Sequence, residues 1–321
     1  MEYTLDYFTG LAEDAIAGIS YPTTAPGLYE PIQYTMASGG KRLRPALCMA
    51  AYAAVSRREP LEIAHQAIAV EMFHNFTLLH DDVMDNADLR RGRPTVHRRS
   101  GQNAAILSGD AMLTMAYGLL ADGAGSRFAN IFEMFNRTAM EVYQGQQLDM
   151  EFESRTDVKV DEYIEMIRLK TSVLIACGCT IGAMLADAEE EVCRRLYDYG
   201  LALGLAFQLR DDWLDTFGDP AVFGKEIGGD IANNKKTWLL ITALNEAPEQ
   251  ITPLLGNKLD REEKVACVTK IYRSLGLDRR CDELAARYAE DAIAAIDGLE
   301  MYATARAFFK SLATNAATRN H

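Results

Sequence analysis

The sequence predicts an all-α fold, and three observations carry that prediction. No proline occurs between Thr95 and Asp219, a stretch rich in Ala, Leu, Met, Glu and Gln, which favour helices. Strand signals are absent: there is no sustained alternation of apolar and polar residues, and no Asn-Gly or Asp-Gly turn between β-branched runs. Ala69, Met72, Phe73, Phe76 and Leu79 recur at i, i+3, i+4, i+7 and i+10, the spacing of one helical stripe.

Taken in order, the helices should be interrupted where glycine and proline gather: Tyr21 to Pro31, Arg90 to Pro94, and Gly218 to Gly229. The longest uncharged run, Thr171 to Ala186, includes polar positions and falls short of a bilayer span. It reads as a helix buried in the core, with Gly178 and Gly182 letting a neighbouring helix come close. No linker or low-complexity tract separates two halves, so a single domain over residues 1–321 is expected.

The bulk charge excludes one class of function. The formal net charge of −13 argues against a nucleic-acid partner, which needs a basic stripe. Cys48, Cys177, Cys179, Cys193, Cys267 and Cys281 make no zinc-binding pattern. Reduced, mostly buried thiols in a cytoplasmic protein are expected. Met1-Glu2-Tyr3-Thr4 starts the chain without a basic or apolar leader, so neither secretion nor stable membrane insertion is expected.

The chemistry is concentrated in a pattern that occurs twice. Asp81, Asp82 and Asp85 form one D-D-x-x-D; Asp211, Asp212 and Asp215 form another. On a helix the first and last Asp of each motif share a face, and like charges so placed are unfavourable. A hard divalent cation with oxygen ligands would offset that cost, and bridging cations bind diphosphates. One such motif is a weak signal in an acidic chain; two are far less common.

Basic residues stand beside these acids. Gly39-Gly40-Lys41-Arg42-Leu43-Arg44-Pro45 joins a glycine pair, which lets backbone approach an anion, to cationic donors. Arg90-Arg91-Gly92-Arg93-Pro94 follows the first motif. Gly224-Lys225, Gly228-Gly229-Asp230 and Asn234-Lys235-Lys236 follow the second, and Lys170-Thr171 opens the uncharged run. Carboxylates that hold metal, metal that holds phosphate, and cationic side chains for the remaining phosphate charge make up a diphosphate site.

From about Gly39 to Trp238 the chain resembles the trans-isoprenyl diphosphate synthases, the head-to-tail prenyltransferases. Five ordered blocks carry the resemblance: Gly39 through Pro45; Leu79-His80-Asp81-Asp82 through Arg90-Arg91-Gly92; Gly145-Gln146-Gln147-Leu148-Asp149; Lys170-Thr171; and Phe207-Gln208-Leu209-Arg210-Asp211-Asp212 through Asp215. It implies an isoprenoid-synthase helical bundle around a central cavity, usually as a homodimer. It also implies Mg²⁺-dependent condensation of isopentenyl diphosphate with dimethylallyl, geranyl or farnesyl diphosphate.

The resemblance assigns roles residue by residue. Asp81, Asp85 and Asp211 are the implied principal ligands of three Mg²⁺, with Asp82, Asp212 and Asp215 in support. Arg90, Lys170, Lys225 and Lys235 match residues that grip the allylic diphosphate, and Lys236 lies next to Lys235. Gly40, Lys41, Arg44, His74 and Arg91 match the isopentenyl diphosphate site. The Lys170 carbonyl, Thr171 and Gln208 match groups whose oxygens face an allylic cation.

Product length should be set below the first Asp motif. Phe76 lies five residues before Asp81, about 7–8 Å down the axis; Thr77 is small, and Phe73 and Met72 lie lower. In the family an aromatic at the Phe76 position, without an insertion in the Asp motif, resembles short-chain synthases, and a C20 or C15 product is expected. Ideal helix geometry nonetheless puts Thr77 closer than Phe76 to the face beneath Asp81. A class I terpene cyclase also uses D-D-x-x-D but has no need of Lys41 and Arg44. An inactive partner subunit would tend to lose Asp or Arg positions that this chain keeps. Of the family's basic C-terminal tail, only Arg319-Asn320-His321 is represented.

Overall fold

The computed structural model describes residues 3–219, 227–256 and 259–319. In chain order the helices are α1 (Leu5–Ala17), α2 (Pro26–Met36), α3 (Leu43–Ser56), α4 (Ala64–Met84), α5 (Val96–Ser100), α6 (Gln102–Ala121), α7 (Phe128–Ser154), α8 (Val160–Ile167), α9 (Val173–Leu185) and α10 (Glu190–Phe217). They continue as α11 (Gly229–Ala232), α12 (Trp238–Glu246), α13 (Pro248–Ile251), α14 (Arg261–Ser274), α15 (Leu277–Ala295) and α16 (Ala303–Thr318). The all-α expectation holds. The one sheet among the described residues is a hairpin of two short strands, β1 (Leu89–Arg90) and β2 (Arg93–Pro94), in the expected break after the first Asp motif. It turns through Arg91 (φ 54°) and Gly92 (φ 73°), where left-handed backbone favours glycine.

The chain forms two compact units, and helices α7, α9, α10 and α16 each contribute residues to both. The first takes in residues up to Arg137, Cys177–Tyr197 and Leu299–Phe308. Its centre is α4, which packs chiefly on α6 and also on α1, α2 and α3. Enclosure from several sides explains why burial extends beyond the Ala69–Leu79 stripe to Gln66, Ala67, Ile68, Val70, Glu71 and Asn75. Helix α3 is buried from Pro45 to Ala54. The Cys177–Leu185 part of α9 lies against it as its glycines suggested. A Cβ on Gly182 would come within 3.0 Å of the Cys48 carbonyl carbon and the Tyr52 nitrogen, and one on Gly178 within 3.2 Å of the Arg44 oxygen.

One boundary differs from the expectation. The Tyr21–Pro31 break ends at Ala25, because Pro26 opens α2 and Pro31 lies inside it. Proline's fixed φ suits a helix's first position. Pro31 is buried, and its carbonyl still accepts the Thr35 hydroxyl at 2.8 Å.

The second unit comprises Thr138–Ala176, Asp198–Gly298 and residues from Phe309 on. Here α8 runs into one π-helical turn, Arg168–Ser172, before α9 begins. Two glycines clasp that turn. A Cβ on Gly145 of α7 would stand 2.7 Å from the Lys170 Cα, and one on Gly204 of α10 would stand 2.5 Å from the Ser172 Cα. Helix α12 packs on α8, α14 and α15, and Tyr163, Tyr199, Tyr272 and Phe309 are among the large side chains fully buried. Thr237 and Asp260 cap α12 and α14 with side-chain oxygens that accept from Leu240 N and Glu263 N.

None of the six cysteines is in a disulfide among the described residues, and five of them are buried. Among the described residues, two helical stretches are long and apolar enough to cross a membrane by length and composition. Val160–Leu185 is 83% buried within the protein, whereas Gln102–Ala121 is only 33% buried and exposes Ile106 and Leu107.

Candidate active site

In the first unit, α4 brings the first Asp motif to its C-terminal end. Asp81 and Asp82 lie in its last turn, and Asp85 is the cap residue, its N–H donating to the Asp81 carbonyl at 2.8 Å. Asp82 is buried, and burial pushes its carboxyl up against the pull of Arg90. Arg90, the last residue of β1, donates from Nε to Asp82 Oδ1 at 2.7 Å and from Nη2 to Asp81 Oδ2 at 3.4 Å. The hairpin therefore folds an arginine onto the acids that precede it.

The Gly39–Arg44 loop meets the same helix two turns earlier. Arg44 Nη1 lies 3.2 Å from His74 Nε2. Arg91 Nη1 donates to the Gly39 carbonyl, and a Cβ on Gly40 (φ 129°) would meet the Arg91 guanidinium at 2.8 Å. The glycine pair thus makes room for an arginine. Burial lowers the His74 pKa well below its ordinary value, and Arg44, Arg91, Arg90 and Arg42 lower it further. Burial brings Arg44 down to about 10, with Arg91 contributing. A neutral imidazole among four guanidiniums is an environment that favours an anion. Lys41, in the same loop, is exposed.

Below the acids, Phe76 packs its ring 5.5 Å from Phe73 and 4.8 Å from His80, and Phe73 meets Phe135 at 5.2 Å. Thr77 donates its hydroxyl to the His74 carbonyl at 2.8 Å. Phe76 and Phe73 are buried, Thr77 partly so.

In the second unit the second Asp motif lies near the end of α10. Asp212 Oδ1 accepts from Gln208 Nε2 at 3.0 Å, and its Oδ2 accepts the Tyr163 hydroxyl. Asp215 Oδ2 accepts the Asp230 N–H at 2.9 Å. Burial, reinforced by the charge of Asp230, pushes Asp212 up to about 7 and Asp215 up to about 6. Asp211 Oδ1 accepts from Arg319 Nη2, and the same guanidinium stacks on Phe207 at 3.7 Å. On the π-helical turn, Lys170 Nζ pairs with Asp149 Oδ2 at 2.6 Å and Thr171 Oγ1 donates to Gln208 Oε1 at 3.1 Å. Lys235 Nζ lies 3.4 Å from Asp230 Oδ1 with 43% of its side chain exposed. Burial alone would lower its pKa, but Asp230, Asp212 and Asp149 outweigh burial and raise it.

Each unit therefore gathers one set of the residues singled out in the sequence. Lys225 lies outside the described residues. Sequence reasoning gave no role to Tyr163, Asp149, Asp230 or Arg319. Asp149 lies within a matched block, Asp230 in the glycine-rich stretch after the second motif, and Arg319 in the part of the family's basic tail that is represented; Tyr163 has no local signal. Among the described residues no three acidic, imidazole or thiol groups converge on one point; the acids are held instead by Arg90, Tyr163, Gln208 and Arg319. The donors in both motifs are carboxylate oxygens, a set that suits magnesium better than a thiophilic metal. Cation charge beside Asp212 and Asp215 would also reverse the upward pull of burial.

Residues 25–275 match the polyprenyl synthetase family. The geranylgeranyl diphosphate synthase of Saccharolobus solfataricus is 39% identical over 275 residues, 83% of this chain and 82% of that one. A crystal structure of a geranylgeranyl pyrophosphate synthase superposes with a TM-score of 0.94 at 40% identity over 99% of both chains. That of geranylgeranyl pyrophosphate synthase from Corynebacterium glutamicum, solved with isoprenyl diphosphate and magnesium, gives a TM-score of 0.86 at 29% identity over 98% of this chain and 99% of that one. The five ordered blocks, the helical fold and the extent of these matches agree: the chain belongs to the polyprenyl synthetase family, the trans-isoprenyl diphosphate synthases.

Proposed function

We propose that this protein condenses isopentenyl diphosphate head-to-tail with an allylic diphosphate, releasing diphosphate and an all-trans prenyl diphosphate of C20 or C15 length. The observation that carries this reading is the guanidinium cluster around neutral His74 on the helix whose last turn holds Asp81 and Asp82. Gly40, Lys41, Arg44, His74 and Arg91 would hold isopentenyl diphosphate. Arg90, Lys170, Lys225 and Lys235 would grip the allylic diphosphate.

The six motif carboxylates would hold Mg²⁺, three per active site, which supplies positive charge to the departing diphosphate. The Lys170 carbonyl, Thr171 and Gln208 would turn oxygen toward the allylic cation. Thr171 gives its proton to Gln208 at 3.1 Å, so its lone pairs are left to face elsewhere. The double bond of isopentenyl diphosphate attacks, and a proton leaves to the released diphosphate. No protein nucleophile is required. Phe76, above Phe73, would form the floor that stops growth.

The exposed Ile106 and Leu107 on the little-buried α6 support pairing with a second copy as a homodimer. The reading places the enzyme in the cytoplasm, with no nucleic-acid partner. The test is purified protein with Mg²⁺, isopentenyl diphosphate and each of dimethylallyl, geranyl and farnesyl diphosphate, with products sized by mass spectrometry. Condensation with at least one starter is expected; none with any starter would sink the proposal.

A further inference from the structure

Arg42 stands between two residues of the proposed isopentenyl diphosphate site, Lys41 and Arg44, yet cannot itself reach a ligand. Its side chain is wholly buried. Nε donates to Glu13 Oε1 of α1 at 2.7 Å, Nη1 to Glu71 Oε1 of α4 at 2.8 Å, and Nη2 to the Met36 carbonyl at the end of α2. Glu71 is buried too, and its Oε1 also accepts from Asn75 Nδ2 at 3.0 Å.

The backbone at Arg42 is left-handed (φ 42°, ψ 33°), a conformation that an L-residue with a long side chain adopts only when its surroundings hold it there. Its carbonyl then accepts the Ala46 N–H at 3.1 Å and starts α3. The chain thus reverses between exposed Lys41 and Arg44 in the first turn of α3. Glu71 and His74 are one turn apart on α4, and they receive Arg42 and Arg44 respectively. The buried pair therefore fixes the register of the loop against the helix that carries His74 and Asp81.

We infer that Arg42, through Glu71, is a positioning residue that sets Lys41 and Arg44 for isopentenyl diphosphate without touching it. The inference rests on the proposed condensation. Three variants test it: Glu71→Gln, Arg42→Met, and the double variant Arg42→Met/Glu71→Met. Removing one partner strands a buried charge, so each single variant should melt earlier; removing both restores a neutral, filled interior and should recover the melting temperature. KM for isopentenyl diphosphate should rise at least tenfold in all three. KM for the allylic substrate and kcat at saturating isopentenyl diphosphate should stay within about twofold of wild type.

A double variant that recovers both stability and the isopentenyl KM would overturn the inference. So would a parallel rise in both KM values. If a single variant does not fold, Glu13→Gln, which loosens the same guanidinium from its exposed partner, should shift the isopentenyl KM in the same direction; no shift would count against the inference. Failure of wild-type protein to condense any starter would refute the proposed function instead.

Discussion

Gly145→Ala is the sharpest test of how the Lys170–Thr171 turn is held. The new methyl would lie 2.7 Å from the Lys170 Cα and 2.8 Å from the Leu169 carbonyl carbon, where ordinary contact begins at 3.4 Å. The Lys170 nitrogen is nearer still, so the methyl falls at least 0.7 Å short of ordinary contact, and the obstacles are backbone atoms that no rotamer change can remove. Overpacking of this kind costs about 1–3 kcal/mol, partly offset by the ~1 kcal/mol that alanine gains over glycine in a helix. The net loss, at most about 2 kcal/mol, should lower the melting temperature by no more than a few degrees. The larger effect should be on turnover: displacing Lys170 and Thr171 by most of an ångström should cost ~10²-fold in kcat. Gly10→Ala on α1, where a Cβ meets nothing within 4 Å, is the control and should keep full activity. Scanning calorimetry and the condensation assay read both quantities. If Gly145→Ala matched wild type in each, the glycine clasp would not be what positions this turn.

The other predictions concern length, metal and pH. Phe76→Ala should give longer prenyl diphosphates by mass spectrometry, because Phe76 lies nearer the Asp motif than Phe73, against which its ring packs on α4; an unchanged product would remove it as the floor. Arg319 occupies Asp211, so Arg319→Gln should lower the magnesium concentration that half-stabilises the protein in a melting titration. A partly exposed pair of this kind is worth about 1 kcal/mol, or roughly fivefold in midpoint; an unmoved midpoint would rule out competition. The depressed His74 pKa has a defined sign. Below about pH 6.5 the unfolded chain takes up a proton that the folded protein refuses, so stability should fall as pH drops through that value. Inorganic diphosphate should relieve the fall and His74→Gln should remove it; a slope unaltered in the variant would place its origin elsewhere.

What could be read in the sequence was what is local. The α4 stripe and each Asp motif are patterns of residues close in sequence, and the structure places the stripe and both motifs at helices, as expected. What could not be read depends on partners distant along the chain. Tyr163 reaches Asp212, Arg319 reaches Asp211, and Arg42 reaches Glu13 and Glu71. Nothing in the immediate neighbours of those residues signals such bonds. The π-helical turn is equally silent, because Arg168–Ser172 has the composition of an ordinary helix and widens where Gly145 and Gly204 press against it. Pro31 marked a break that proved to be a helix interior, because Pro26 upstream had already set the helical start.

Helix α4 carries Glu71, His74, Phe76 and Asp81 on one rigid rod. Adding or deleting a single residue between His74 and Asp81 would slide the carboxylates by about 1.5 Å and swing them about 100° away from the imidazole. On the proposed roles, that interval cannot change in length without separating the grip on one substrate from the grip on the other. The bulk of the side chains within it can vary, since a larger or smaller group at Phe76 leaves both ends in register. Divergence in product size along this segment should accordingly proceed by exchange of residues and not by gain or loss of them.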